Sequence, residues 1–342
     1  MFSRRKFIHE GSLLMLGSYF LPALLFDDAE GMIMTVSGAI NPADLKFTLT
    51  HEHIIVDFIG AGKVSKYRYD AEKIVKTALP FLQDIKNRGC KSFVDCTPAY
   101  LSRDVKLLKK LSEATGLNII TNTGYYAAVN EKYLPGHVYK ETATQIAKRW
   151  INEWDNGIEG TGIKPGFIKT GVDSAPLTIT QIKIITAAAI THLQTGLTIA
   201  VHTGNGEAAK QQLDILQKNG VAASARIWVH AQNENNTDYH IEAARKGSWI
   251  SFDGVNAETR DTNINFLQVM KKKGLLGHVL VSQDSGWYHV GELNGGNFKS
   301  YNYILTDFIP TLKKREFTQA EINQLFIINP AKALAIKIRK FG

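Results

Sequence analysis

Downstream of residue 30 the chain alternates two hydrophobic rhythms. Short runs rich in β-branched and aromatic residues are separated by longer stretches in which apolar positions recur every three or four residues. The short runs are "FTLTHEHIIVDF", "SFVDCTPAY", "NIITNTGYY", "GFIKTGVD", "LTIAVHTGNG", "RIWVHAQN", "WISFDG" and "HVLVSQDSGW". The longer stretches, such as Asp70 to Asn87 and Thr180 to Gln194, have helical spacing. Glycines Gly89, Gly116, Gly196, Gly220, Gly247 and Gly274 stand where a helix C-cap needs a left-handed residue. Repeated βα units around a parallel sheet follow from this pattern, and about eight strands is the number that closes a (β/α)8 TIM barrel. A doubly wound open sheet is the main alternative. It would favour a glycine-rich phosphate loop directly after the first strand, and "HEHIIVDFIGAGKV" does not supply one.

No low-complexity linker divides the chain, so residues 31–342 are read as a single barrel domain. The length of 342 residues, with 44% hydrophobic and 21% charged, is ordinary for a globular protein with a sizeable core. A formal charge of +8 is carried by Lys and Arg scattered singly or in short runs such as Lys271-Lys272-Lys273. That is a solvated surface rather than a nucleic-acid or membrane patch.

Residues 1–30 differ in kind. "SRRKFI" precedes the mostly apolar "GSLLMLGSYFLPALLF", which ends at Asp27-Asp28. Positive, then apolar, then polar is the layout of an export signal. Arg4 and Arg5 followed by Phe7 and Ile8 resemble the bacterial twin-arginine signal, so a periplasmic or exported location is expected. The apolar stretch is shorter than the roughly 20 residues a spanning helix needs. The two cysteines, Cys90 and Cys96, flank one strand and would lie about 20 Å apart, beyond disulfide reach.

Polar residues at the C-terminal ends of barrel strands mark the active face. The first run supplies His51 and His53, the fourth Lys169, the fifth His202, the sixth His230 and the eighth Asp284. Side chains two apart on a strand share a face about 7 Å apart, close enough for His51 and His53 to bind one metal ion. Glu52 between them is expected to point towards the helical layer. Lys169 puts an ammonium in an apolar strand, which costs several kcal/mol unless the charge is paired or lost. Either Asp173 pairs it, or burial keeps the amine neutral so that it takes up carbon dioxide as a carbamate.

"TLTHEH", "GFIKTGVDSAPLT", "HLQTGLTIAVHTGNG", "WVHAQN" and "LVSQDSGW", in this order, resemble the phosphotriesterase family of the amidohydrolase superfamily, including its phosphotriesterase-like lactonases. The resemblance implies a (β/α)8 barrel with two divalent metal ions, most often zinc. His51, His53 and Asp284 would hold the more buried ion, His202 and His230 the more exposed one, and Lys169 as N6-carboxylysine would bridge them. A hydroxide shared by the two ions would attack a lactone or carboxylic ester, with phosphotriesters as further substrates, and Asp284 would take its proton.

In the loops, Tyr125, Tyr126, Trp287 and Tyr288 are candidate substrate contacts. Small-molecule ester or lactone substrates are the expected partners, without nucleic acid, and a homodimer is compatible with the sequence. Three departures from the family bear on lactone preference. Gly254 follows Asp253 where many lactonase relatives have arginine, "SQD" stands for S-H-D or S-N-D, and "VHAQN" lacks an aspartate pair. A non-catalytic ligand-binding barrel has no need for Asp284 and a buried lysine. A mononuclear deaminase would need a glutamate that "VHTGNG" lacks.

Overall fold

The computed structural model describes residues 31–342, so the export signal expected over residues 1–30 lies outside the described residues. Eight parallel strands form the barrel: β1 (Thr48–Val56), β2 (Ser92–Asp95), β3 (Asn118–Ile120, resuming at Asn122–Thr123), β4 (Phe167–Val172), β5 (Thr198–Thr203), β6 (Arg226–Val229), β7 (Trp249–Phe252) and β8 (Val279–Val281). Each of them pairs in parallel with its sequence neighbour from β1 through to β8. The interruption in β3 lets its first part pair with β2 and its second with β4. The two sheets are thereby joined into one wall.

Between β8 and β1 the ring is closed by the chain that follows β8 rather than by β8 itself. Asp284 N–H donates to the His51 carbonyl (3.1 Å), and His53 N–H donates to the Ser285 carbonyl (2.9 Å). The short strand β9 (Gly286–His289) then runs parallel to β1, Gly286 opposite His53. Gly286 sits at φ +96°, and a Cβ there would lie 1.9 Å from the His53 carbonyl oxygen, so only glycine permits this closure.

Helices α1 (Ala71–Asn87), α2 (Val105–Thr115), α3 (Ala143–Asn156), α4 (Ile179–Thr195), α5 (Gly206–Lys218), α6 (Thr237–Arg245) and α7 (Arg260–Lys272) cover the outside. Their ends follow the sequence signals. Asp70 accepts the backbone N–H groups of Glu72 and Lys73 at the start of α1, and Thr178 with Gln181 forms a capping box for α4. Gly116 and Gly196 terminate α2 and α4 in the left-handed conformation, at φ 66° and 75°.

Inside the wall, Val94, Phe167, Ala200, Ile227 and Leu280 fill the barrel, and Ile33 and Leu334 join the same cluster from an antiparallel hairpin (Ile33–Thr35 with Gly38–Ile40) and from the helix Asn329–Leu334. The barrel is therefore a packed core, with its polar residues gathered above the apolar layer. Cys90 and Cys96 are both buried and free.

Strand β1 departs from plain alternation. Leu49 pairs with Phe93 but Glu52 with Asp95, so β1 carries one more residue than β2 across that interval. Such a bulge re-aims side chains, and here both Thr50 and His51 face the interior. Glu52 consequently does not point at the helices, as simple period-two counting predicts. It is fully buried at the seam, where its carboxylate accepts Ser282 Oγ (2.7 Å) and the backbone N–H groups of Gln283 (3.2 Å) and Ser285 (2.8 Å).

Candidate metal centre

His51, His53, Lys169, His202, His230 and Asp284 all line one cleft at the C-terminal end of the barrel, about 560 Å³ with its open mouth. His51 and His53 stand on β1, Lys169 in β4 and His202 near the end of β5. His230 and Asp284 lie just beyond their strands, where the backbone turns left-handed at φ 60° and 50°. That conformation is uncommon outside glycine, although His and Asp tolerate it better than most. It is a local cost of the kind found where a fold fixes functional groups.

The side chains converge. His51 Nε2 lies 3.5 Å from Lys169 Nζ and 3.8 Å from Asp284 Oδ1, and His53 Nε2 lies 3.2 Å from the same oxygen. Ring centroids are 4.9 Å apart for His51 and His230, and 4.5 Å for His202 and His230.

Three of the four imidazoles are held from behind. Asp253, at the end of β7, receives His51 Nδ1 on one oxygen (3.0 Å) and His230 Nδ1 on the other (2.7 Å). A carboxylate accepts, so both Nδ1 atoms carry the proton and both Nε2 atoms present a bare lone pair. Thr97 Oγ1 donates to the Ile55 carbonyl (3.0 Å) and so receives His53 Nδ1–H (2.8 Å), fixing the same tautomer there. Outer hydrogen bonds of this kind orient imidazoles for metal ligation.

Electrostatics favour that neutral form at His51 and His202, whereas His230 is pushed towards protonation and would give up its second proton to a bound cation. Burial, followed by the Lys169 charge, holds His51 down to about 4 despite Asp253. Burial and then His230 hold His202 well below its ordinary value. Burial would also lower His230, but the charge and hydrogen bond of Asp253 outweigh it and raise that ring. Burial opposes ionisation of Asp284, yet His51 and His53 keep its carboxyl far below the usual range.

Asp284 Oδ1 is buried without a hydrogen-bond partner among the described residues. An orphaned carboxylate oxygen facing bare imidazole nitrogens is a donor set for a divalent cation, and the mixture of nitrogen and oxygen suits zinc and its neighbours. Ligand atoms of His51, His53 and Asp284 fall within 4.8 Å of one another, as do those of His51, His230 and Asp253. Asp253, however, already accepts Ser251 Oγ (2.8 Å) and Gln232 Nε2 (3.1 Å) besides both histidines. Its oxygens are spent on orienting ligands. Lys169 is 2% exposed. Asp173 is not its partner, since that carboxylate accepts the Val129 and Asn130 N–H groups and Gln181 Nε2.

Among the aromatic candidates, Tyr126 and Trp287 line the cleft. Tyr126 lies 5.1 Å from the His202 ring, and Trp287 lies 4.3 Å from His53 while its indole N–H donates to the Asp284 carbonyl (2.7 Å). Tyr125 and Tyr288 turn away from it. Tyr125 packs edge-on against Trp150 in the outer layer, and Tyr288 joins the core beneath the rim. Phe58, Val129, Tyr133, Pro98 and Leu101 complete an apolar wall that sequence reasoning missed, as it missed the orienting roles of Asp253, Glu52 and Thr97. Only the buried acidic Asp253 in an otherwise apolar β7 run could have signalled one of these.

Residues 31–334 match the model of the phosphotriesterase family. A phosphotriesterase homology protein of Escherichia coli strain K12 is 29% identical over 84% of this chain and 97% of its own length. The aryldialkylphosphatase of Saccharolobus solfataricus is 28% identical over 86% and 96% respectively. A mutant of a phosphotriesterase-like lactonase from Deinococcus radiodurans superposes with a TM-score of 0.81 at 27% identity, over 89% of this chain and 100% of that one. Members of this family are metal-dependent hydrolases with a binuclear centre on a (β/α)8 barrel. With its match running through the entire described barrel to residue 334, the chain belongs to the phosphotriesterase family.

Proposed function

We propose that this protein is an exported hydrolase whose main substrates are lactones or other carboxylic esters, with phosphotriesters as a secondary class. The observation that carries the reading is the convergence of four histidines, Asp284 and Lys169 on one cleft whose remaining wall is largely apolar. The likeness to a Deinococcus radiodurans lactonase supports the ester preference, and the aryldialkylphosphatase relative supports the second class.

His51, His53 and Asp284 would hold one divalent ion and His202 and His230 the other, with zinc the expected metal. Lys169 would bridge them once its ammonium has released a proton and the amine has added to carbon dioxide with loss of a second proton, forming a carbamate. Such a pair of cations, when bound, lowers the pKa of water and polarises the oxygen of the scissile bond. The chain supplies the rest. The carboxylate of Asp284, beside the attacked bond, would take the proton released on attack. Asp253 and Thr97 keep three imidazoles in the ligating tautomer. Phe58, Tyr133 and Trp287 exclude bulk water and accept the apolar part of the substrate.

The test is a hydrolysis panel of lactones, aryl esters, phosphodiesters and phosphotriesters on zinc-loaded enzyme. Lactones or aryl esters should lead in kcat/KM. Phosphotriesters in first place would reverse the assignment, and no turnover of any class would remove it.

A further inference from the structure

The start of β6 carries a second chemical anomaly, on the opposite face of the wall from the metal cleft. Ile227 and Val229 point into the barrel, whereas Arg226 and Trp228 point out into a cavity between α5 and α6. That cavity has room for roughly one water-sized particle, about 10 Å³, and is lined also by Lys210, Tyr239, Glu242 and Lys246. Arg226 is wholly buried. Its Nη1 donates to the Ala209 carbonyl, but Nε and Nη2 have no partner among the described residues, and neither has Trp228 Nε1. No carboxylate among the described residues forms an ion pair with it. Asp214 acts on it only at longer range. Glu242, the carboxylate in the cavity wall, is already engaged by Lys246 at 2.7 Å.

A buried guanidinium with two unpartnered nitrogens and no counter-charge is expensive, and the ordinary remedies are a paired carboxylate or a bound anion. The first is missing among the described residues. We propose that the cavity between α5 and α6 is a binding site for a small monovalent anion of the halide class, held by Arg226 Nε and Nη2 and by Trp228 Nε1. A single negative charge balances the buried guanidinium, because Lys246 and Glu242 already neutralise each other and Lys210 is exposed to solvent. Lys210, exposed at the mouth, adds an attractive field for entry. The bound ion would tie β6, which ends at His230, to α5, whose Ala209 already receives Arg226.

Two measurements decide this. In thermal unfolding of the metal-loaded protein, sodium chloride replaces sodium gluconate at constant ionic strength. The midpoint should rise saturably by about 3 °C as chloride passes to well above its dissociation constant. Arg226→Met should be insensitive to the exchange, and Arg226→Lys should keep part of the response. Crystals of the unsubstituted protein soaked in sodium bromide should show an anomalous peak within hydrogen-bonding distance of the Arg226 guanidinium. That second arm stands even if Arg226→Met does not fold. A water in place of bromide, or equal chloride responses in the parent and Arg226→Met, would overturn the proposal.

Discussion

Asp253 and His230 are joined twice, since the Asp253 carboxylate accepts both the His230 ring nitrogen, at 2.7 Å, and the His230 backbone N–H, at 3.2 Å. The same carboxylate also holds His51, so one side chain just beyond β7 aligns a histidine from each proposed metal position. Asp253→Asn keeps the shape but cannot accept from both rings, and Asp253→Ala leaves both imidazoles unheld. Metal affinity should fall by about 10- to 100-fold in each variant, more in Asp253→Ala. Zinc titration of chelator-treated protein measures this. Unchanged affinity in Asp253→Ala would mean that the histidines need no such support.

Tyr125 and Tyr126 are adjacent, but only the second borders the cleft. Tyr126→Phe should change kcat/KM for the preferred ester by about 10-fold, equivalent to roughly 1.4 kcal/mol in the transition state. Tyr125→Phe should leave kinetics unaltered and show itself only in the melting temperature. Steady-state kinetics on the two variants, with equal metal loading, separate the alternatives; the reverse pattern would contradict the placement of the two rings.

Lys169→Ala should lose bound metal and activity together, and a small carboxylate such as acetate should restore part of both by supplying oxygens where the carbamate would be. Metal content and turnover are measured with and without the additive. A variant that keeps two equivalents of zinc and full activity would dismiss the bridging role.

His240 is buried behind the centre, where its Nε2 donates to the Ala231 carbonyl at 2.8 Å. Burial lowers it from 6.5 to about 4. A histidine whose folded value is depressed binds its proton more readily in the unfolded chain, so its contribution is intact above pH 6.5 and is lost as pH falls towards 4. The unsubstituted protein should lose on the order of 3 kcal/mol more than His240→Gln across that window. Denaturant unfolding at both pH values tests the difference. Parallel curves would show that another group governs acid sensitivity.

Export through a twin-arginine pathway predicts that changing both Arg4 and Arg5 to lysine leaves precursor in the cytoplasm. Fractionation of cells expressing the two forms reads this directly, and undiminished export would reject the signal.

Much of this architecture was legible in the sequence because the relevant interactions are local. Runs of β-branched and aromatic residues mark the strands, glycines after the helical stretches mark helix ends such as that of α4, and the six cleft residues fall at equivalent points of their βα units. What escaped was governed by contacts distant in sequence or by irregular backbone. The bulge in β1 sends Glu52 to the seam, and no pattern within "TLTHEH" reveals the Ser282–Ser285 turn that receives it. Choosing between Tyr125 and Tyr126, or Trp287 and Tyr288, requires the left-handed backbone at Gly124 (φ 114°) and Trp287 (φ 72°), which cancels simple alternation. Asp253 looked like the end of a strand because its two histidine partners come from elements 202 and 23 residues away.

The seam between β1 and the chain after β8 joins residues more than 230 positions apart, and it is there that Asp284 is delivered to His51 and His53. Contacts so remote in sequence are slow to form. A nascent chain halted before residue 284 has all four histidines of the cleft but lacks the carboxylate, and a complete chain that fails to join its ends has the carboxylate in the wrong place. With Asp284 as the proposed ligand and proton acceptor, hydrolytic competence would become a readout of circular completion, absent until β1 and the chain after β8 have met.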